Sequence, residues 1–138
     1  MSHSIIRVLF EGRLVKWAKA KSPALRVARQ NDGFEPLVDE SYFRAFTLPA
    51  AVDSLDLAGA HRLYTGVFQV TIVTPAGKST FAGDSLADEL AALFPLNDRL
   101  TKDGLTVQVM TPVEPGPHQQ EDSASTIPVS FEYRADTT

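Results

Sequence analysis

The chain has no cysteine among its 138 residues. That removes disulfide staples, thiolate nucleophiles and cysteine-ligated zinc together, so packing has to supply the stability. No apolar run approaches the length of a membrane span, and the N-terminus has neither the apolar stretch nor the small-residue cleavage site of a secretory signal. A cytosolic product with no membrane contact is expected. A phosphate-cradling loop is missing too: Gly77-Lys78-Ser79 lacks the upstream glycine that a Walker-type loop requires, and a turn is the better reading. No Gly-x-Ser-x-Gly elbow occurs, and Ser79 and Ser85 have no histidine near them in sequence. Histidine is limited to His3, His61 and His118, the last two in expected loops.

What is present is ordinary for a globular protein, with 43% hydrophobic and 22% charged residues, and one domain over residues 1–138 is expected. The most informative stretch runs from Tyr64 to Phe94. Residues Tyr64 to Val73 are densely β-branched or aromatic, with Gly66, Phe68, Val70 and Ile72 on one face and Val67, Gln69, Thr71 and Val73 on the other. Two largely apolar faces predict a central strand. Pro75 and Gly77 mark a turn, after which the period changes to that of a helix capped at Asp84 or Ser85. Asp88 and Glu89 complement its dipole, Leu86, Leu90, Leu93 and Phe94 form its stripe, and Pro95 stops it.

Elsewhere, Ile6, Leu9, Phe10, Leu14 and Trp17 recur at helical spacing between Ser2 or Ser4 and about Lys21, with Arg7, Glu11, Lys16 and Lys19 toward the other side. A short strand from Leu25 to Arg29 follows, then a polar loop around Asn31 and Pro36 and a strand over 42–48 ended by Pro49. Residues 49–62 read as a long loop whose Val52, Leu55 and Leu57 rest on their own domain or on a neighbour. Leu105 to Thr111 forms the next strand, 112–126 a second long loop rich in Pro, Gly, Gln and Ser, and Ile127 to Arg134 the last strand, with Pro128 favouring an edge or the strand's first residues. The expected fold is α+β in the order α-β-β-β-α-β-β: a mainly antiparallel sheet of about five strands with two helices packed on one face.

Charge is distributed unevenly. Residues 1–30 hold seven of the thirteen basic side chains and one of the seventeen acids, so a segment at +6 precedes a remainder at −10 within a total of −4. Such a split suits subunits meeting head to tail, while solvation of a helix's outer face is the plainer and preferred reading. Asp53, Asp56 and His61 are ordinary metal ligands by type, but their spacing matches no closed site. The adjacent Asp88-Glu89 pair diverges on its helix, and the aromatics near the basic residues belong to the apolar stripe rather than to a nucleic-acid surface. No catalytic residue and no cofactor are assigned.

The segments SIIRVLFEGRL with Trp17, LPAAVDSLDLAGAHRLYTGVFQVTIVTPAGKS, ELAALFPLN and IPVSFEYRAD together resemble the tail-terminator-like proteins of long-tailed bacteriophages, the minor tail proteins similar to the terminator of lambda-type phages. The resemblance implies a structural subunit of the virion tail, not an enzyme. Such a subunit assembles in the host cytoplasm into a ring, typically a hexamer, on the head-proximal end of the tail tube. There it stops tube polymerisation and presents the surface for head attachment. Implied partners are further copies of the chain, the tail tube protein and a head-completion or connector protein, with DNA passing through the lumen. Expected assembly contacts are Asp53, Asp56, His61, Arg62, Glu121 and Asp122, with Arg7, Arg13, Lys16 and Lys19 as their counterparts across the ring. A head-tail joining (neck) protein is the alternative, and a small metal-dependent hydrolase using Asp53, Asp56 and His61 a more distant one.

Overall fold

The computed structural model describes residues 3–21, 24–29, 33–35, 40–54, 62–75, 80–120 and 124–137, with backbone only at 51, 53, 54 and 80–82. The elements are α1 (His3–Lys19), β1 (Arg26–Ala28), β2 (Tyr42–Ser54), β3 (Arg62–Pro75), α2 (Thr80–Leu93), β4 (Arg99–Lys102), β5 (Leu105–Val109), β6 (Glu114–Pro115), β7 (Gln119–Gln120) and β8 (Ala124–Thr137). The sheet runs β1-β2-β3-β8-β5-β4, with β6 and β7 also pairing with β8. No helix among the described residues is long and apolar enough to cross a membrane.

The α+β class is as expected, but the sheet is not the mainly antiparallel, five-stranded one predicted. It is mixed and has eight strands, and five strands follow α2 instead of two. Strand β1 lies parallel to β2, Val27 opposite Phe43. The intervening residues from Arg29 to Ser41 are long enough to carry the chain back to the same end, which a parallel neighbour requires. Strand β4 comes from a turn signal passed over in sequence. Asp103 (φ 51°) and Gly104 (φ 79°) both adopt positive φ, and this two-residue turn pairs Lys102 with Leu105.

Four prolines fall within strands: Pro75 is the last residue of β3, and the other three are placed for identifiable reasons. Pro49 does not end β2, which continues to Ser54 through an irregularity between Pro49 and Ala51. Beyond Arg44, β2 has left β1 and is an edge, where a missing N–H costs no ladder bond. Pro128 sits inside β8, a strand flanked on both sides, where an edge or a place among the strand's first residues was expected for it. The Pro128 carbonyl accepts from the Gly116 N–H at 2.6 Å, so its ring nitrogen faces the gap between β6 and β7. Pro115 belongs to β6 itself: the segment read as a loop stays on β8, with the Met110 N–H donating to the Glu132 carbonyl at 2.8 Å.

The core lies on one face of the sheet. β3 sends Phe68, Val70 and Ile72 to it, β8 sends Ile127, Val129, Phe131 and Tyr133, β5 sends Leu105, Val107 and Val109, and β2 sends Phe43 and Ala45. Both helices cover this face. α1 buries Ile6, Phe10, Leu14 and Ala18, and α2 with the residue after it buries Ala87, Leu90 and Phe94. Helix α2 begins one turn before the expected caps, and its Gly83 passes close to Ile127. The rings of Phe10, Phe68, Phe94 and Phe131 pack mutually at centroid distances from 5.0 to 5.9 Å. Glu11, expected outward, is only 5% exposed, with Arg7 at 3.8 Å and Arg29 at 3.9 Å from its carboxylate. Two cations drawn from different elements offset the desolvation of this acid.

His3 at the start of α1 shares a 2.8 Å hydrogen bond with the Tyr133 hydroxyl and meets the Tyr64 ring edge-on at 5.3 Å. Burial pushes the Tyr133 hydroxyl up to about 12, so it stays protonated and can donate to neutral His3. Burial first, and then the Arg7 cation, lower the pKa of His3 below its ordinary 6.5. The unfolded chain therefore binds a proton more readily than the folded one. This contribution to stability is present in full above pH 6.5 and is lost as pH falls through the lowered folded value. Urea midpoints compared at pH 7.5 and 5.5 will fall for the wild type, and His3→Phe will show a smaller fall; equal slopes would refute the assignment.

Candidate assembly interface

The two ends of the long strands differ in chemistry. At one end the C-terminal half of α1 lies over the start of β2, with the Trp17 ring 5.5 Å from that of Phe43, and β1 runs alongside. Lys16, Lys19, Lys21, Arg26 and Arg29 gather there, because two basic residues occupy the last turn of α1 and the chain returns at once into β1. Most of these cations are engaged within the chain. Lys21 donates to Glu89 at 2.6 Å and stands over the Trp17 ring, tying α1 to α2. Arg26 forms two 2.6 Å bonds to the Glu40 carboxylate and stacks over Phe34 at 4.4 Å. Hydrogen bonding to Glu40 raises the Arg26 pKa, so this cation is fixed in charge and position.

Lys16 and Lys19 are different. Both are exposed, and neither makes an ion pair among the described residues. They complement the helix dipole and remain available to a partner. Beside Lys19 a cleft of about 420 Å³ opens between α1 and β1, floored by Val15, Leu25, Val27 and Phe34.

The remaining expected contacts divide as follows. Arg7 is half-buried against Glu11. Arg13 is committed internally: it bonds the Asp98 carboxylate, donates to the Leu93 carbonyl at 3.2 Å and stands 5.9 Å from the Phe94 ring centre. It closes the end of α2 onto α1. Asp53 and Arg62 lie in strands, not in a loop, near the far end of the β2–β3 hairpin, where Asp53 is opposite Leu63 and Ser54 opposite Arg62. The Arg62 N–H donates to Thr137 Oγ1 at 2.9 Å. Asp56, His61, Glu121 and Asp122 lie outside the described residues.

Val52 lies nine residue steps along β2 from Phe43, so the hairpin end and the α1–β1 cleft are roughly 30 Å apart. One subunit cannot bring its own Asp53 to its own Lys19. Sequence reasoning missed the cleft because its floor comes from three separate segments, and missed Asp98 and Glu40 because their cationic partners are remote in sequence. No group of three or more potential metal ligands occurs among the described residues.

Comparison with known proteins places this architecture. The profile of a family described as phage tail terminator protein matches residues 5–133. A solved structure superposes with a TM-score of 0.83 at 46% sequence identity, covering 98% of this chain and 96% of the other. No protein of curated function matches. The matched region takes in α1, the whole β2–β3 hairpin, α2 and most of β8; the chain belongs to the phage tail terminator protein family and has a structural role in the phage tail.

Proposed function

We propose that this protein caps the head-proximal end of the tail tube as a ring, stops tube polymerisation and provides the surface to which the head attaches. The observation that carries this reading is membership of the tail terminator family over residues 5–133. The geometry is compatible with it. A cluster of cations at one end of the sheet and a β2–β3 hairpin end at the other give each copy two unlike surfaces, as a heterologous ring contact requires. The partners in this reading are further copies of the chain, six to a ring, with the tube protein on one side and a head-completion or connector protein on the other. DNA passes through the lumen.

The test is tube growth. Added at low ratio to polymerising tube protein, the chain shortens the tubes and leaves extra density at one end in electron micrographs. Unchanged lengths with bare ends would sink the reading; binding to tail-less heads under the same conditions would then favour a neck protein.

A further inference from the structure

We infer that the outer faces of the two helices form a self-complementary surface on which a second copy of this chain docks, α1 of each copy lying antiparallel on α2 of the other. The inference goes beyond the ring reading, because a two-fold contact of this kind closes at two copies and cannot itself propagate a ring.

Both helices bury one side in the shared core and leave the opposite side open. On α1 the open row is Val8, Gly12 and Lys16, four residues apart and all exposed, Val8 at 56%. On α2 it is Asp88 and Ala92, continued at the same spacing by Leu96, 49% exposed just past the helix end. The chemistry changes in opposite senses along the two rows. It passes from apolar through glycine to basic on α1, and from acidic through alanine to apolar on α2. Laid antiparallel, valine faces leucine, glycine faces alanine and lysine faces aspartate. Lys19 and Asp84, both exposed and one turn further on, repeat the match of sign.

Three observations commit the occupant to a second copy. First, Lys16, Lys19 and Asp88 make no ion pair among the described residues, and Asp84 has only His118, at 3.1 Å. Second, Gly12 has no steric role in its own chain, since a Cβ there would meet nothing within 4 Å. Glycine inside a helix is unfavourable relative to alanine, and a second helix seated closely over it gives it a use. Third, α1 and α2 are antiparallel neighbours: Arg13 reaches the Leu93 carbonyl and Asp98, whereas Lys21, two turns on, reaches Glu89. Their open rows both point away from the sheet and cannot meet within one chain. A copy turned over about an axis along the helices lays its α1 antiparallel on the first copy's α2, and its α2 on the first copy's α1. Those internal bonds set the heights of the helices to within about one turn of the register that matches the rows.

The test is the oligomeric state of the full chain, read by sedimentation over a rising concentration series. Two helix pairs, each about 20 Å long, make a contact at the small end of specific interfaces, so the association is concentration dependent. The wild type should pass from monomer to dimer and stop there. Lys16→Glu and Asp88→Lys, each alone, should raise the dissociation constant by about tenfold. An equimolar mixture of the two variants should dimerise again, since every facing pair then regains unlike charge. Gly12→Leu should abolish the dimer yet, when dilute, melt no lower than the wild type, because leucine favours a helix and meets open space in the single chain. A dimer that neither reversal weakens, or a mixture that stays monomeric, overturns the pairing. Growth into trimers and larger species overturns the two-fold arrangement. A wild type that remains monomeric throughout overturns the inference, and tube arrest by that same monomer would leave the terminator reading standing.

Discussion

Replacing Phe10 with alanine lowers the stability of the fold by about 3–5 kcal/mol, enough to lower the thermal midpoint by on the order of 10 °C. The ring is fully buried and joins α1 to both central strands and to the end of α2. It lies 5.0 Å from Phe68 on β3, 5.2 Å from Phe131 on β8, 5.9 Å from Phe94 after α2 and 5.7 Å from Tyr133. Those neighbours come from two strands and the end of the other helix, and none can move into the vacated space without breaking its own packing. Val8→Ala on the same helix provides the control, since Val8 is 56% exposed and its truncation should change stability by less than about 0.5 kcal/mol. Urea melts of the two variants decide the matter; similar midpoints would mean that α1 is not held by this cluster.

Gly66→Val is expected to be the most damaging change in the sheet, costing about 3 kcal/mol, the upper part of the range for overpacking. Gly66 sits opposite Tyr133 on β8 and opposite Pro49 at the irregular part of β2. A Cβ there would lie 2.6 Å from the Leu48 carbonyl oxygen and 2.7 Å from Tyr133 Cζ. The first obstacle is backbone and cannot swing aside. The second is a ring held by His3 at the start of α1. Relief at one point would therefore propagate to the helix. Tyr133→Phe should not rescue Gly66→Val, because removing the hydroxyl leaves both the ring carbon and the carbonyl in place. Full rescue in a thermal melt would show that the hydroxyl alone sets the size limit, and the backbone argument would fail.

Much of this architecture was visible in the residues. The dense β-branched run after Tyr64 predicted the long central strand, with its two faces correctly divided, because alternation is a property of the strand itself. The stripe Ile6, Phe10 and Leu14 predicted the buried side of α1 for the same kind of reason. Prolines misled the reading at Pro49, Pro115 and Pro128. Whether a missing N–H matters depends on which neighbour that side of the strand faces, and the neighbour is not written locally. Glu11 misled it too, since a partner that makes its burial tolerable, Arg29, arrives just after β1.

The candidate site was legible only in outline. The uneven charge distribution could be counted, but Lys16 and Lys19 cannot be told apart from Arg7, Arg13, Lys21, Arg26 and Arg29 by residue type. Composition and periodicity by themselves determined the α+β class, the central strand, the two helices and the basic start of the chain, because those depend on interactions between residues a few positions apart. Strand count, the parallel placement of β1, the path of 110–120 along β8, the commitment of Arg13 to Asp98 and the separation of the hairpin from the cleft were decided only by the tertiary structure. Each is a pairing between distant segments, chosen by the burial and hydrogen bonding available once the whole sheet has formed.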